Sequence, residues 1–311
     1  MLKTYSNDFK YVEIFIKSFN TYNTDDIMLY ILVPENDNVL FSQFRSPTVV
    51  VLSEEAIPVP YFESPVGEIS MGYLNQQIVK LAFWKLGLCE NYLCLDSDAV
   101  FIRDFGLSDF LTPDGQPYTV LIEDNDLQSD PEYYVTQWQE RTKSLQKIQK
   151  FLGLADDLRL LTCHGFQIFS ASVLVQMEIE ILNKQNINYV DLLTISPYEF
   201  SWYNYFLQRQ NVKIYTREPL FKCYMSPMQL IRDQIAGVTP QDLAHGYLGL
   251  VLNSNLGESR QIPLKYGPPL LKHLLGQYIP LPTLAAGFIL GLKRIPTIII
   301  QRFLKKDSKI S

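Results

Sequence analysis

Asp96, Ser97 and Asp98 directly follow the apolar run NYLCL at residues 91–95. If that run is a strand, two carboxylates with one residue between them can face the same side. Ligands of parallel α/β sheets bind beyond the carboxyl ends of the strands, and CLDSDAVF puts two acids at such an end. A hard oxygen pair of this kind suits Mg²⁺ or Mn²⁺, which keeps positions for waters and for phosphate oxygens of a substrate. The ion then neutralises charge developing on a leaving diphosphate. An Asp-x-Asp also ends many strands as a solvated acidic turn, so the elements around it decide its meaning.

Those elements alternate. Helical spacing is expected over residues 11–19, compact apolar strands over 27–33 and 48–52, and a Pro-rich loop without periodicity over 54–72. A helix over 73–86 stops at Gly87, a favoured residue after a helix, and carries Gln76 and Lys80 four apart on one face. Further strands are expected over 118–122, 166–169 and 213–215, and helices over 133–154, 171–184 and 198–208. This alternation points to an α/β fold with a mostly parallel sheet.

The chain has 311 residues, 47% hydrophobic, with a net charge of −6 that is unevenly placed. From Arg260 onward nine Lys and Arg face Asp307 alone, so an acidic body precedes a basic tail. The acidic body disfavours nucleic acid as a partner. The apolar stretch at 281–292 is too short to span a bilayer, which leaves either a helix packed on the body or a surface anchor on anionic lipid. Four cysteines show no C-x-x-C pair, and the start of the chain shows no cleavable leader, so a cytoplasmic protein, peripheral on the inner face of the membrane if the tail binds lipid, is expected. The division expected is a catalytic domain over 1–258 and a basic, apolar helical extension over 259–311.

The stretch GYLNQQIVKLAFWKLGLCENYLCLDSDAVFIRDF, Gly72 to Phe105, resembles the nucleotide-sugar core of glycosyltransferases with the GT-A fold, closest to a set of little-characterised bacterial glycosyltransferases with an Asp-x-Asp motif. The resemblance spans residues 3–255 and thins after Asn211. It implies a mixed, mostly parallel central sheet flanked by helices, a divalent metal held by Asp96 and Asp98, a nucleotide-diphospho-sugar donor and a saccharide or lipid-linked acceptor in cell-surface glycan synthesis. In the opening LKTYSNDFKYVEIFIKSF, it makes Thr4 and Tyr5 candidates for the base and Asp8 for the base or ribose. Lys80 becomes a point charge near the phosphates, with Gln76 and Ser97 beside it on the donor side.

An acceptor hydroxyl must also be oriented and, for inversion, deprotonated. Glu199 in SPYEFSWYNYF stands alone among aromatics and is the first candidate base, with Asp124 the second; Tyr198, Trp202 and Tyr203 could stack on an acceptor sugar. His245 in DLAHGYLG is the candidate third metal ligand, and His164 with Gly165 suits a loop toward the donor or acceptor. Two other classes compete: a nucleotidyltransferase acting on a sugar phosphate, whose Gly-rich opening loop is absent here, and a non-catalytic membrane-associated binding protein.

Overall fold

The computed structural model describes residues 1–121, 139–155, 165–210, 213–225 and 227–253. They fall into two compact units: Met1–Cys223 with Tyr247–Val251, and Tyr224–Gly246 with Leu252 and Asn253. The boundary expected at 258/259 lies outside the described residues, as does the whole basic tail.

The strands are β1 (Leu2–Lys3), β2 (Leu29–Val33), β3 (Val49–Ser53), β4 (Asn91–Asp96), β5 (Ala99–Phe101), β6 (Tyr118–Thr119), β7 (Phe166–Ser170), β8 (Tyr215–Thr216), β9 (Phe221–Tyr224) and β10 (Gly249–Leu252). The central sheet of the first unit runs β3-β2-β1-β4-β7. Its first four strands are parallel and β7 is antiparallel to β4, so the protein is α/β with a mixed, mostly parallel sheet. Asp96 N donates to Gly165 O at 3.3 Å, so the chain re-enters beside the end of β4 and runs back along it. A second sheet, β5-β10-β9, sets β10 antiparallel to β5, and β6 pairs with β8.

The period-2 alternation of the strands divides the apolar residues between two faces. On β4, Tyr92 and Cys94 join one cluster while Leu95, with Leu93 packed nearby, joins the other; on β2, Leu32 opposes Ile31 and Val33 in the same way. One face is covered by α1 (Phe9–Tyr22), through Val12, Phe15, Ile16 and Phe19, and by Phe41 of α2 (Asn38–Phe41). The other is covered by α3 (Met71–Ala82), α4 (Gln139–Leu152), α5 (Ala171–Met177), α6 (Tyr189–Ile195) and α7 (Glu199–Arg209), through residues such as Leu74, Ile78, Leu145, Leu192 and Trp202. Each such side chain contributes about 1.5–3 kcal/mol on burial.

Local chemistry sets the limits of α3. Ser70 accepts from Tyr73 N at 3.2 Å as its N-cap, and after the short 3₁₀ turn Phe83–Leu86 the chain leaves through Gly87 at φ 66°, a left-handed conformation that glycine adopts freely. The Pro-rich stretch after β3 is irregular but for the 3₁₀ turn Glu54–Ala56 and a tight antiparallel bridge between Val66 and Ile69. Among the described residues, the strand expected at 118–122 is the two-residue β6 and the one expected at 213–215 is displaced to β8, and the two pair with each other in parallel.

The second unit contains α8 (Pro227–Ala236) and α9 (Pro240–Ala244), the latter opened by a capping box between Thr239 and Asp242. No helix among the described residues is long and apolar enough to cross a membrane.

Candidate active site

The strand order reverses at β1. The chain moves outward from β1 to β2 and β3, then returns through α3 to lay β4 on the opposite side of β1. Helices α1 and α2 therefore lie on one face and α3 on the other, and the carboxyl ends of β1 and β4 meet at the switch point beyond which open α/β sheets hold ligands in a crevice. Lys3 is in register with Asp96, so the chain segments after both strands meet there. Asp8, at the end of the 3₁₀ turn Ser6–Asp8, accepts a 2.9 Å hydrogen bond from Ser97 Oγ.

Behind the crevice lies a buried ionic bridge. Lys80 Nζ is 2.7 Å from Asp96 Oδ1 and 3.0 Å from Glu199 Oε1, and Gln76 Nε2 donates to the same Asp96 oxygen at 3.0 Å. Lys80 and Glu199 are 2% and 5% exposed, whereas a quarter of the Asp96 side chain reaches solvent. The Lys80 ammonium also lies 4.9 Å from the centre of the Phe200 ring. Burial works against the charge on Lys80, but Asp96 and Glu199 together hold its pKa well above the ordinary lysine value. Burial raises the pKa of Glu199, and Lys80 opposes it. The phenol of Tyr73, one turn before Gln76 and two before Lys80 on α3, is raised by burial and then by the charge of Glu199.

The rim is tied together by loops that follow the other strands. Lys3 pairs with Glu54 after β3 and donates to Thr4 O at 2.9 Å; Ser6 N donates to Asp37 at 2.7 Å; Glu35 N donates to the carboxylate of Glu55. Asn75 of α3 exchanges hydrogen bonds with the backbone of Phe62, fixing the Pro-rich loop to the helix that carries Lys80.

The oxygens of Asp96, Asp98 and Asp8 are hard donors of the type that binds Mg²⁺ or Mn²⁺. No three His, Cys, Asp or Glu among the described residues are grouped to hold an ion. Mg²⁺ commonly binds through one or two carboxylates, with waters and substrate phosphates completing its shell, so the donor set fits an ion that arrives with a phosphorylated ligand.

A model described as a family of unknown function, DUF6492, matches residues 2–231. The chain belongs to the DUF6492 family. No curated protein matches it. Among solved structures it is similar to an active-site mutant of LgtC, at 15% identity over 81% of this chain and 83% of that one with a TM-score of 0.43. A galactosyltransferase LgtC complex with donor and acceptor sugar analogues matches at 14% identity over 80% and 85%, TM-score 0.43. Mouse xyloside xylosyltransferase 1 in its apo form matches at 12% identity over 82% and 97%, TM-score 0.44.

In this DUF6492 protein the residues singled out from the sequence meet unequally. Thr4, Tyr5, Asp8, Gln76, Lys80, Asp96, Ser97 and Asp98 all belong to the segments that form the crevice. Tyr5 is 44% exposed, while Thr4 is buried, with a hydroxyl oxygen that has no hydrogen-bond partner. Lys80 is not a solvent-facing cation at the phosphates, because both neighbouring carboxylates already hold it inside the protein. Glu199 is not a lone acid: it is the second arm of the same bridge, and its burial keeps it from open solution. Trp202 and Tyr203 are fully buried and cannot stack on a ligand; Tyr198 is half-buried, with Arg141 4.6 Å over its ring.

Gly165 has a packing reason of its own. Its φ is 71°, and a Cβ there would meet Val251 Cγ1 at 2.6 Å. His245 is exposed at the end of α9 in the second unit. Asp124 and His164 lie outside the described residues. The residues missed by sequence reasoning are Lys3, Glu54 and Arg141; a lysine in a two-residue strand and an acid beginning a Pro-rich loop carry no periodic signal.

Proposed function

We propose that this DUF6492 protein is a metal-dependent glycosyltransferase of the GT-A type, moving a sugar from a nucleotide-diphospho-sugar to a saccharide or lipid-linked acceptor. The observation that carries this reading is the meeting of Asp8, Asp96, Ser97 and Asp98 beyond the ends of β1 and β4, where the strand order reverses. Asp96 and Asp98 would hold the cation, which supplies charge neutralisation at the departing diphosphate. Lys80 and Gln76 both take Asp96 Oδ1 and so fix the carboxylate with its other oxygen toward the ligand. The exposed Tyr5 offers a flat surface to a nucleobase, and Ser97 orients Asp8 toward the ribose.

Glu199 enters this reading as a positioning residue acting through Lys80. Inversion with Glu199 as base would require it to leave Lys80 and reach an acceptor hydroxyl; Asp124, the second candidate base, lies outside the described residues. The basic tail as an anchor on anionic lipid belongs to the same proposal.

The test is a thermal-shift panel of nucleoside diphosphates and their sugars with Mn²⁺ or Mg²⁺, since ligands that bind the native state stabilise it. One nucleotide-sugar should raise the melting temperature only with the cation, and Asp96→Asn with Asp98→Asn should abolish that rise without unfolding the protein. Equal binding with and without metal, unchanged in the double variant, would remove the transferase reading. Release of pyrophosphate from a nucleoside triphosphate would replace it with nucleotidyl transfer.

A further inference from the structure

The ribbon formed by β6 and β8 in the first unit carries charges that the proposed transfer does not use. Tyr118 is in register with Tyr215, so the two rings stand on one side of the ribbon, on strands about 4.8 Å apart. Residues two apart along a strand share a face, which puts Lys213 and Arg217 on the same side as Tyr215. The contacts agree: Lys213 Nζ lies 4.5 Å from the centre of the Tyr215 ring, and the Arg217 guanidinium lies 5.1 Å from that of Tyr118. The ribbon thus repeats one unit twice, a cation over a tyrosine. A third cation joins it, because Arg103 and Arg217 both reach Asp109 Oδ1 at 3.4 Å. Three cations therefore share one carboxylate. Among the described residues Lys213 is exposed and forms no ion pair, and Glu218, the next acid along the chain, pairs with none of the three.

We infer that this face binds an acidic saccharide chain, with Lys213 and Arg217 meeting anionic groups on different sugar units. Excess positive charge on a body that is otherwise acidic selects an anion. The doubled unit suits a ligand that itself repeats, whereas a lone phosphate would engage one half of it. The cation on each ring also occupies a face that a nucleobase would need for stacking, which disfavours nucleic acid. What the rings offer instead is their hydroxyls. Both tyrosines are partly exposed, and neither hydroxyl has a hydrogen-bond partner among the described residues, so each can exchange hydrogen bonds with a sugar hydroxyl. Arg217 is fixed in advance by its bonds to Ser108 O at 3.3 Å and Asp109 O at 2.6 Å, so little freedom is lost when an anion arrives. The inference names a class of acceptor for the transfer proposed above and rests on that reading only for that role; the binding itself stands without it.

The experiment titrates the full chain with tetragalacturonate at low salt, and with maltotetraose as the neutral control, by isothermal calorimetry. Tetragalacturonate should bind at least about tenfold more tightly than maltotetraose and lose affinity as salt screens the contacts. Lys213→Glu should weaken it about tenfold, and Tyr215→Phe, which keeps the ring and removes the hydroxyl, about threefold. Lys305→Glu with Lys306→Glu, in the basic tail, should leave it unchanged. The thermal shift with a nucleotide-sugar and Mn²⁺ should be the same in wild type and Lys213→Glu, so failure here is distinguishable from failure of the transferase reading. No binding of tetragalacturonate, or equal binding in wild type and Lys213→Glu, overturns the inference. Equal affinity for tetraglutamate also overturns it, because the face would then attract charge without recognising sugar. So does binding to phosphatidylglycerol vesicles that Lys213→Glu abolishes, without saturable binding of tetragalacturonate, which would make the ribbon a membrane surface.

Discussion

Lys80 holds two carboxylates inside the protein, so each member of the bridge depends on the others. Truncating Lys80 to Met would leave Glu199 buried without its counter-ion, and a broken buried pair costs about 3–5 kcal/mol. Urea unfolding of Lys80→Met should show that loss, and adding Glu199→Gln should recover much of it, because the stranded charge goes with it. Equal losses in the single and double variants would mean that packing against Phe200, rather than the ion pair, is what Lys80 supplies. A second residue-scale consequence concerns Cys94. Burial pushes its thiol up to about 12, with Lys80 pulling the other way. The folded thiol therefore holds its proton longer than the unfolded one: its stabilising contribution is complete below the unfolded pKa, near 8.5, and disappears as pH climbs toward 12. Cys94 should resist iodoacetamide at pH 8 in the native protein and react after denaturation, as peptide mapping by mass spectrometry would show.

The elements show which parts of the site can be read locally. NYLCL ending in Asp-Ser-Asp was legible because the apolar run, its end and the two acids are contiguous, and α3 because Leu74, Ile78 and Leu81 repeat at helical spacing before Gly87. The pairing of Lys80 with Glu199 was not, since 119 residues separate them and a lysine on an amphipathic helix ordinarily faces water. Strands β5 and β10 escaped notice because three or four residues are too few to display a period; only their neighbours make them strands. The antiparallel sense of β7 likewise follows from where Gly165 re-enters rather than from composition. That entry point gives a prediction at this scale. Gly165→Ala would impose a side chain on a left-handed φ of 71° and push it into Val251, so a loss above about 1 kcal/mol is expected in chemical denaturation. An unchanged midpoint would show that Val251 yields easily.

At the scale of the whole molecule, the chain leaves its first unit after Cys223 and returns to it at Tyr247. Strand β10, brought by that return, is the middle strand between β5 and β9, and Leu248, Leu250 and Val251 are buried. A chain truncated before Tyr247 should lose cooperative unfolding in the first unit, as seen by near-ultraviolet circular dichroism, even though most of the family match lies upstream. A sharp, native-like transition in the truncated chain would show that β5 and β9 manage without their shared neighbour.

Strand β1 has a further consequence, and it concerns time rather than strength. Its two residues are paired on one side with Ile31 and Leu32 and on the other with Leu95 and Asp96, partners that are far apart along the chain. Closing so long a loop is slow, because its entropy is lost before any distant contact forms. The halves β2–β3 and β4–β7 can each assemble early, but the crevice exists only after residues 2–3 join them. A ligand of that crevice would therefore hold back unfolding without hastening refolding, because the nucleus that limits folding precedes the surface the ligand needs.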